Sequence, residues 1–123
     1  MSSPNRLIIV LAGAAYVATG IALLFAPHWF YEHVGDFAPY NRHYAGDTGA
    51  FSLAIGLGLL AAARRPARHA LAVAVGAVAA LVHSANHAYD AVRGDESSDE
   101  LAALLAFAAV LLLAAVSVWK EAR

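Results

Sequence analysis

Residues 69–90 read HALAVAVGAVAALVHSANHAYD, and the reading of this stretch decides the fold. A helix needs about 20 apolar residues to cross ~30 Å of hydrocarbon. Ala70 to Val82 is apolar and uncharged but too short for that. It reaches full length only by running on through LVHSANHAY, which carries His83, Asn86 and His87, with Asp90 just beyond. The question is why a membrane span should end in four polar groups that share one side.

The rest of the chain supports a membrane reading. Of 123 residues, 61% are hydrophobic and 14% charged. A soluble domain carries roughly 25% charged residues. Leu7 to Ala26 and Leu101 to Trp119 are uncharged and long enough to span. Thr48 to Ala63 is uncharged and reaches full length if it starts near Tyr44. The chain is therefore expected to be all-α: one membrane domain over residues 1–123, a four-helix transmembrane bundle with helices at about 7–26, 44–63, 70–92 and 101–119. Neither strand alternation nor a convincing amphipathic pattern competes with this. Cleavage of the first span as a signal peptide is not expected. Its apolar run exceeds the usual ~7–15 residues, and PHWFYEHVGDF offers no obvious cleavage site.

Charge sets the expected orientation. One side carries Arg6, Arg64, Arg65, Arg68, Lys120 and Arg123, the other only Arg42 and Arg93. Basic residues of short loops stay in the cytoplasm, so both termini are expected there, in a multi-pass protein of the cell membrane. The acids Glu32, Asp36, Asp47, Asp90, Asp95, Glu96, Asp99 and Glu100 fall on the opposite side. The net charge of −1 gives no sign of nucleic-acid binding. The chain has no cysteine, which removes disulfides, thiolate metal sites and thiol nucleophiles.

Local signals mark the boundaries. Pro66 in ARRPARH interrupts a helix. Gly94 is placed to end the third helix, and Ser98 or Asp99 to cap the fourth. The aromatic run HWFYEH, with Trp29, Phe30 and Tyr31, fits an interfacial belt, either as a short amphipathic segment or as a plain loop. Gly13 and Gly20 share a face with Tyr16 and read as packing residues, as do Gly56 and Gly58, although that pair cannot share a face.

Five of the six histidines, His28, His33, His43, His83 and His87, fall on the extracytoplasmic side. His83, His87 and Asp90 share one face of the third span. The same face continues into Ala80, Gly76 and Ala72. Small residues at this spacing let membrane helices approach closely, so the histidine face is expected to point inward. His43 and Asp47 repeat the pattern on the second span, above Ala50, Ala54 and then Leu57 or Gly58. A short loop makes the two spans antiparallel neighbours, so His43, Asp47, His83, His87 and Asp90 could converge.

Imidazole and carboxylate suit iron, copper, zinc or nickel. Two histidines one turn apart can hold one ion, with a carboxylate as ligand or orienter. A histidine pair could instead ligate a non-covalent haem, or the cluster could relay protons or bind a quinone-like head group. Asn86, Arg42, His28 and His33 are auxiliary candidates. Asn86 otherwise reads as a hydrogen-bonding spacer, and His28, His33 and Glu32 as interfacial surface. The plainer alternative makes the whole cluster structural. Asp47 and Asp90 would then pair with Arg42 and Arg93, and the histidines would join helices by bonds averaging only ~0.6 kcal/mol.

The stretches YNRHYAGDTGAFSLAIGLGLLAAARRP and LVHSANHAYD resemble a set of small, uncharacterised four-helix membrane proteins of actinobacteria, loosely DoxX-like in architecture. The most specific pieces are Arg42-His43 with Asp47, and His83 with His87 and Asp90. The resemblance covers essentially the whole chain and implies a redox or accessory role linked with quinone chemistry. It carries no catalytic residue onto these positions.

Three functional classes follow. The first is a metal, haem or quinone-binding membrane protein with a redox or accessory role. The second is a small structural subunit of a larger membrane complex or homo-oligomer, motivated by the small-residue stripes. The third is a membrane enzyme, such as an isomerase, acting on a lipid-like substrate, with no catalytic residue specified. A transporter is disfavoured, since no internal repeat is visible.

Overall fold

The structure is a computed structural model that describes residues 3–35, 39–94 and 98–123. Among the described residues there are five α-helices and no strand. They are α1 (Ser3–Phe25), α2 (Pro27–His33), α3 (Arg42–Ala62), α4 (Ala70–Arg93) and α5 (Ser98–Glu121), with a 3₁₀ turn, Pro66–His69, leading into α4. The four long helices are each long and apolar enough to cross a membrane. They coincide with the four expected spans and run a few residues further at most ends. Hydropathy marks the apolar stretch, whereas helical hydrogen bonding continues into polar residues that find water or a cap.

The ends show why each helix starts and stops. Asn41 caps α3: its Oδ1 accepts from the backbone N–H groups of His43 (3.0 Å) and Tyr44 (3.1 Å). Gly94 ends α4 in the left-handed region, at φ 83°, which a side chain would strain. Asp99 and Glu100 occupy the first turn of α5, where carboxylates suit the helix dipole. Ser98 and Asp99 already lie inside α5, so neither is its cap, and residues 95–97 lie outside the described residues. Asp36, Asp95 and Glu96 are outside them too. HWFYEH is helix rather than loop: Pro27 opens α2 as its first residue, where the missing N–H costs nothing.

The tightest pair is α1 with α3, and α4 with α5 is next. Glycine makes the first possible. A Cβ on Gly20 would come within 2.6 Å of the Leu53 amide nitrogen, and one on Gly56 within 2.6 Å of that of Val17. Gly13 and Gly49 pack in the same seam, against Leu60 and Leu23. The partners descend α1 as they climb α3, so the two run antiparallel. Close backbone contact is the main cohesive term available to membrane helices, because lipid is as apolar as leucine. Gly58 is different: open space surrounds it, so it takes no part in this packing.

The buried core is mostly alanine. Ile9, Leu59, Val73, Leu111 and Val118 are its largest side chains, set among Ala12, Ala62, Ala77, Ala80, Ala108 and Ala115. Tyr16 of α1 meets Phe107 of α5 edge to face, with centroids 5.8 Å apart. At one end Asn5 Nδ2 donates to Ser117 Oγ (2.8 Å), joining the start of α1 to the last turns of α5. Leu11, Ile21, Phe51, Val75 and Leu113 point outward and are exposed. In a bilayer such a surface is ordinary lipid-facing side chain.

Candidate histidine face

The alternating helices give the bundle two chemically distinct ends. Arg6, Arg64, Arg65, Arg68, Lys120 and Arg123 collect at one, where α1 begins and α5 finishes. His43, Asp47, His83, His87 and Asp90 belong to the other, with α2 beside them. The five expected site residues therefore do share one end.

Their depth follows from a hydrogen bond. Ser84 Oγ lies 2.9 Å from the Ala80 carbonyl and 3.1 Å from that of Leu104 on α5. One hydroxyl proton is shared between the two. This sets Ser84 level with Leu104, and hence His83 with Leu105, His87 with Leu101 and Asp90 with Ser98. The apolar run of α5 starts at Leu101, after Asp99 and Glu100. At ~1.5 Å per residue, His83 lies about 6 Å inside that limit and His87 at it.

On α4 the histidines sit at the flank rather than at the centre of the inward face. The buried residues are Ala70, Val73, Gly76, Ala77, Ala80 and Ser84. Ala80 and Gly76 are buried as expected, but the arc is centred further round, toward Ala77 and Ser84. His83 is exposed, while His87 and Asp90 are half-buried. The expectation of an inward histidine face is corrected to that extent. Helical phase explains it: at ~100° per residue, the Gly76–Ala80 line is one edge of the buried arc, and His83 falls just outside it.

On α3 the correction is larger. The buried residues are Ala45, Gly49, Gly56, Leu59 and Ala62. His43 and Asp47, with Ala50, Ala54, Leu57 and Gly58, are all exposed, roughly half a turn round the helix. Small residues occur on both faces of α3, and the one bearing Gly49 and Gly56 packs against α1.

The contacts are local pairs. His43 Nε2 lies 3.5 Å from Asp47 Oδ2, with side chains 89% and 62% exposed, a contact that water would largely screen. The His83 and His87 rings meet edge to face, with centroids 4.4 Å apart and planes at 76°. Asn86 Nδ2 donates to Asp90 Oδ2 (3.3 Å). Arg93 Nη1 donates to Tyr89 Oη (3.2 Å), and its guanidinium lies 5.6 Å from that ring's centroid. Arg42 is exposed and folds back toward Gly46. Among the described residues, no three His, Asp or Glu side chains are grouped to hold a metal ion. The structure thus brings His83 to His87 and His43 to Asp47, but does not gather the five into one metal-holding group.

The auxiliary histidines are engaged within or beside α2. His28 Nε2 pairs with Glu32 Oε1 (3.1 Å), and its ring meets Tyr40 edge to face at 5.1 Å. His33 Nδ1 donates to the Trp29 carbonyl (2.9 Å) and stacks on the Trp29 ring at 5.4 Å. Ser84 carries no distinguishing chemical signal beside the histidines in the sequence, yet it is a buried polar residue of this end at 2% exposure. Its position one turn beyond Ala80, continuing the Val73–Ala77 line, is what could mark it.

Comparison of the chain with protein-family models, with curated proteins and with solved structures finds no match.

Proposed function

We propose that this is a small multi-pass membrane protein, with both termini in the cytoplasm, whose extracytoplasmic end presents a histidine face to a transition metal, a haem or a quinone-like ligand. Its role would be redox or accessory, in keeping with the DoxX-like resemblance. The His83–His87 contact on the exposed flank of α4 carries the reading. Two imidazoles there lie at and just inside the apolar limit of the neighbouring helix. Ionisable groups within a membrane-spanning helix mark functional sites by default. The pair supplies two nitrogen donors, with Asp90 on the next turn, held by Asn86, as an orienter. The remaining donors would come from the ligand itself or from an adjoining membrane subunit. Metal, haem and quinone content per chain, in the wild type and in a His83→Ala/His87→Ala variant, tests the assignment.

A second reading, a packing subunit, has its own observation. Ala50, Ala54 and Gly58 recur every four residues on the exposed face of α3, and nothing lies within 4 Å of a Cβ built on Gly58. Such spacing suits close approach by another membrane helix, from a second copy or a larger complex. The two readings are compatible, since an accessory subunit can bring an incomplete ligand set to its partner.

A further inference from the structure

We infer that the basic end of the bundle carries a binding site for an anionic phospholipid, in the groove between α4 and α5. The groove holds about 320 Å³, at the lower end of the ~300–1,000 Å³ typical of ligand clefts. Ala74, Ala77 and Ala115 line it. Their small side chains leave room that two leucine-faced helices would have filled. Trp119 and Lys120, from the end of α5, and Arg123, two residues beyond it, line the same groove. An apolar trough that ends in two cations matches the shape and polarity of a phospholipid, with the acyl chain in the trough and the phosphate at Lys120 and Arg123. Trp119 suits the same interfacial depth.

Charge selects the occupant. Arg6, Arg64, Arg65 and Arg68 belong to the same end and add positive potential, while Glu121 is not among the lining residues. A second copy in the same orientation would bring its own basic end against these cations and be repelled. A zwitterionic lipid would gain less from them than an anionic one. Basic pockets between membrane helices bind anionic head groups in just this way. The site lies at the opposite end of α4 from His83 and His87 and does not depend on the histidine proposal.

Trp119 reports on the site directly. The chain has two tryptophans, so a Trp29→Phe background isolates it. The full chain is placed in vesicles of mixed phosphatidylcholine and phosphatidylglycerol, with one or the other carrying brominated acyl chains. Phosphatidylglycerol is expected to quench Trp119 with roughly 30-fold preference, from about 1 kcal/mol for each of the two cations near the surface. Lys120→Gln/Arg123→Gln should erase the preference. Arg64→Gln/Arg65→Gln removes equal charge from the same end and should retain it. Circular dichroism verifies that each variant is folded, and Ala74→Leu, which fills the trough, should weaken quenching without touching charge. Equal quenching by both lipids would overturn the proposal. Equal loss in the two charge variants would reduce it to general surface attraction and overturn it too. Competition by inorganic phosphate would make the site an anion site rather than a lipid site. Trp119 shielded from both lipids in a cross-linkable dimer would give the groove to a second copy.

Discussion

The rings of His83 and His87 meet edge to face at 4.4 Å on the flank of α4, and Ser84, next to His83 in the chain, is buried against α5. The inward serine fixes how deep the outward imidazoles sit. Ser84→Ala should lower stability only slightly, by ~0.6 kcal/mol, the usual worth of a hydrogen bond between membrane helices. Ser84→Leu should cost more, roughly 1–3 kcal/mol, because the site has no room. Thermal unfolding in detergent distinguishes the two.

The α1–α3 seam makes a sharper demand. Gly20→Ala and Gly56→Ala each place a methyl 2.6 Å from a partner backbone nitrogen. Backbone cannot rotate away as a side chain can, so the helices must separate. A loss of roughly 1–3 kcal/mol is expected for each, whereas Gly58→Ala, facing open space, should be neutral or slightly stabilising. Similar melting temperatures for Gly20→Ala and Gly58→Ala would mean the seam is not as close as described.

Orientation can be read by labelling. The chain has no cysteine, so single cysteines report without background. With the termini cytoplasmic, Glu32→Cys should react with a membrane-impermeant maleimide on intact cells, and Ala122→Cys only after lysis. The reverse pattern would turn the bundle over, and the histidine end with it.

If the exposed Ala50–Ala54–Gly58 face seats another helix, Ala54→Leu with Gly58→Leu should abolish association while leaving the monomer folded. Size measurement in mild detergent, with and without chemical cross-linking, shows this directly. A wild-type chain that runs as a lone monomer would remove the packing-subunit reading.

Much of the architecture was legible in the sequence because a bilayer imposes a simple rule: about twenty apolar residues, all backbone bonds internal. Length and charge alone located the four helices, and Gly94 announced the end of α4. Which face turns inward was not legible to the same degree. In α3, small residues lie both at Gly49 and Gly56 and at Ala50, Ala54 and Gly58, so composition does not choose between the faces. The choice is made by α1, whose Gly13 and Gly20 meet the face bearing Gly49 and Gly56. In α4 the histidine line and the buried line differ by less than a quarter turn, finer than periodicity in an alanine-rich helix resolves. Ser84 was hidden by its neighbours: beside two histidines, a serine draws no notice until its carbonyl partner on α5 is seen.

The most direct test of the histidine face is elemental analysis of the chain purified in mild detergent without added metal or chelator, counting iron, copper, zinc and nickel, with an optical spectrum for haem and organic extraction for quinone. One of these ligands is expected near one per chain, or per assembly if a second subunit completes the site, together with its loss in a folded His83→Ala/His87→Ala variant. Neither metal nor haem nor quinone in the wild type, or the same content in both proteins, would contradict the histidine-face reading.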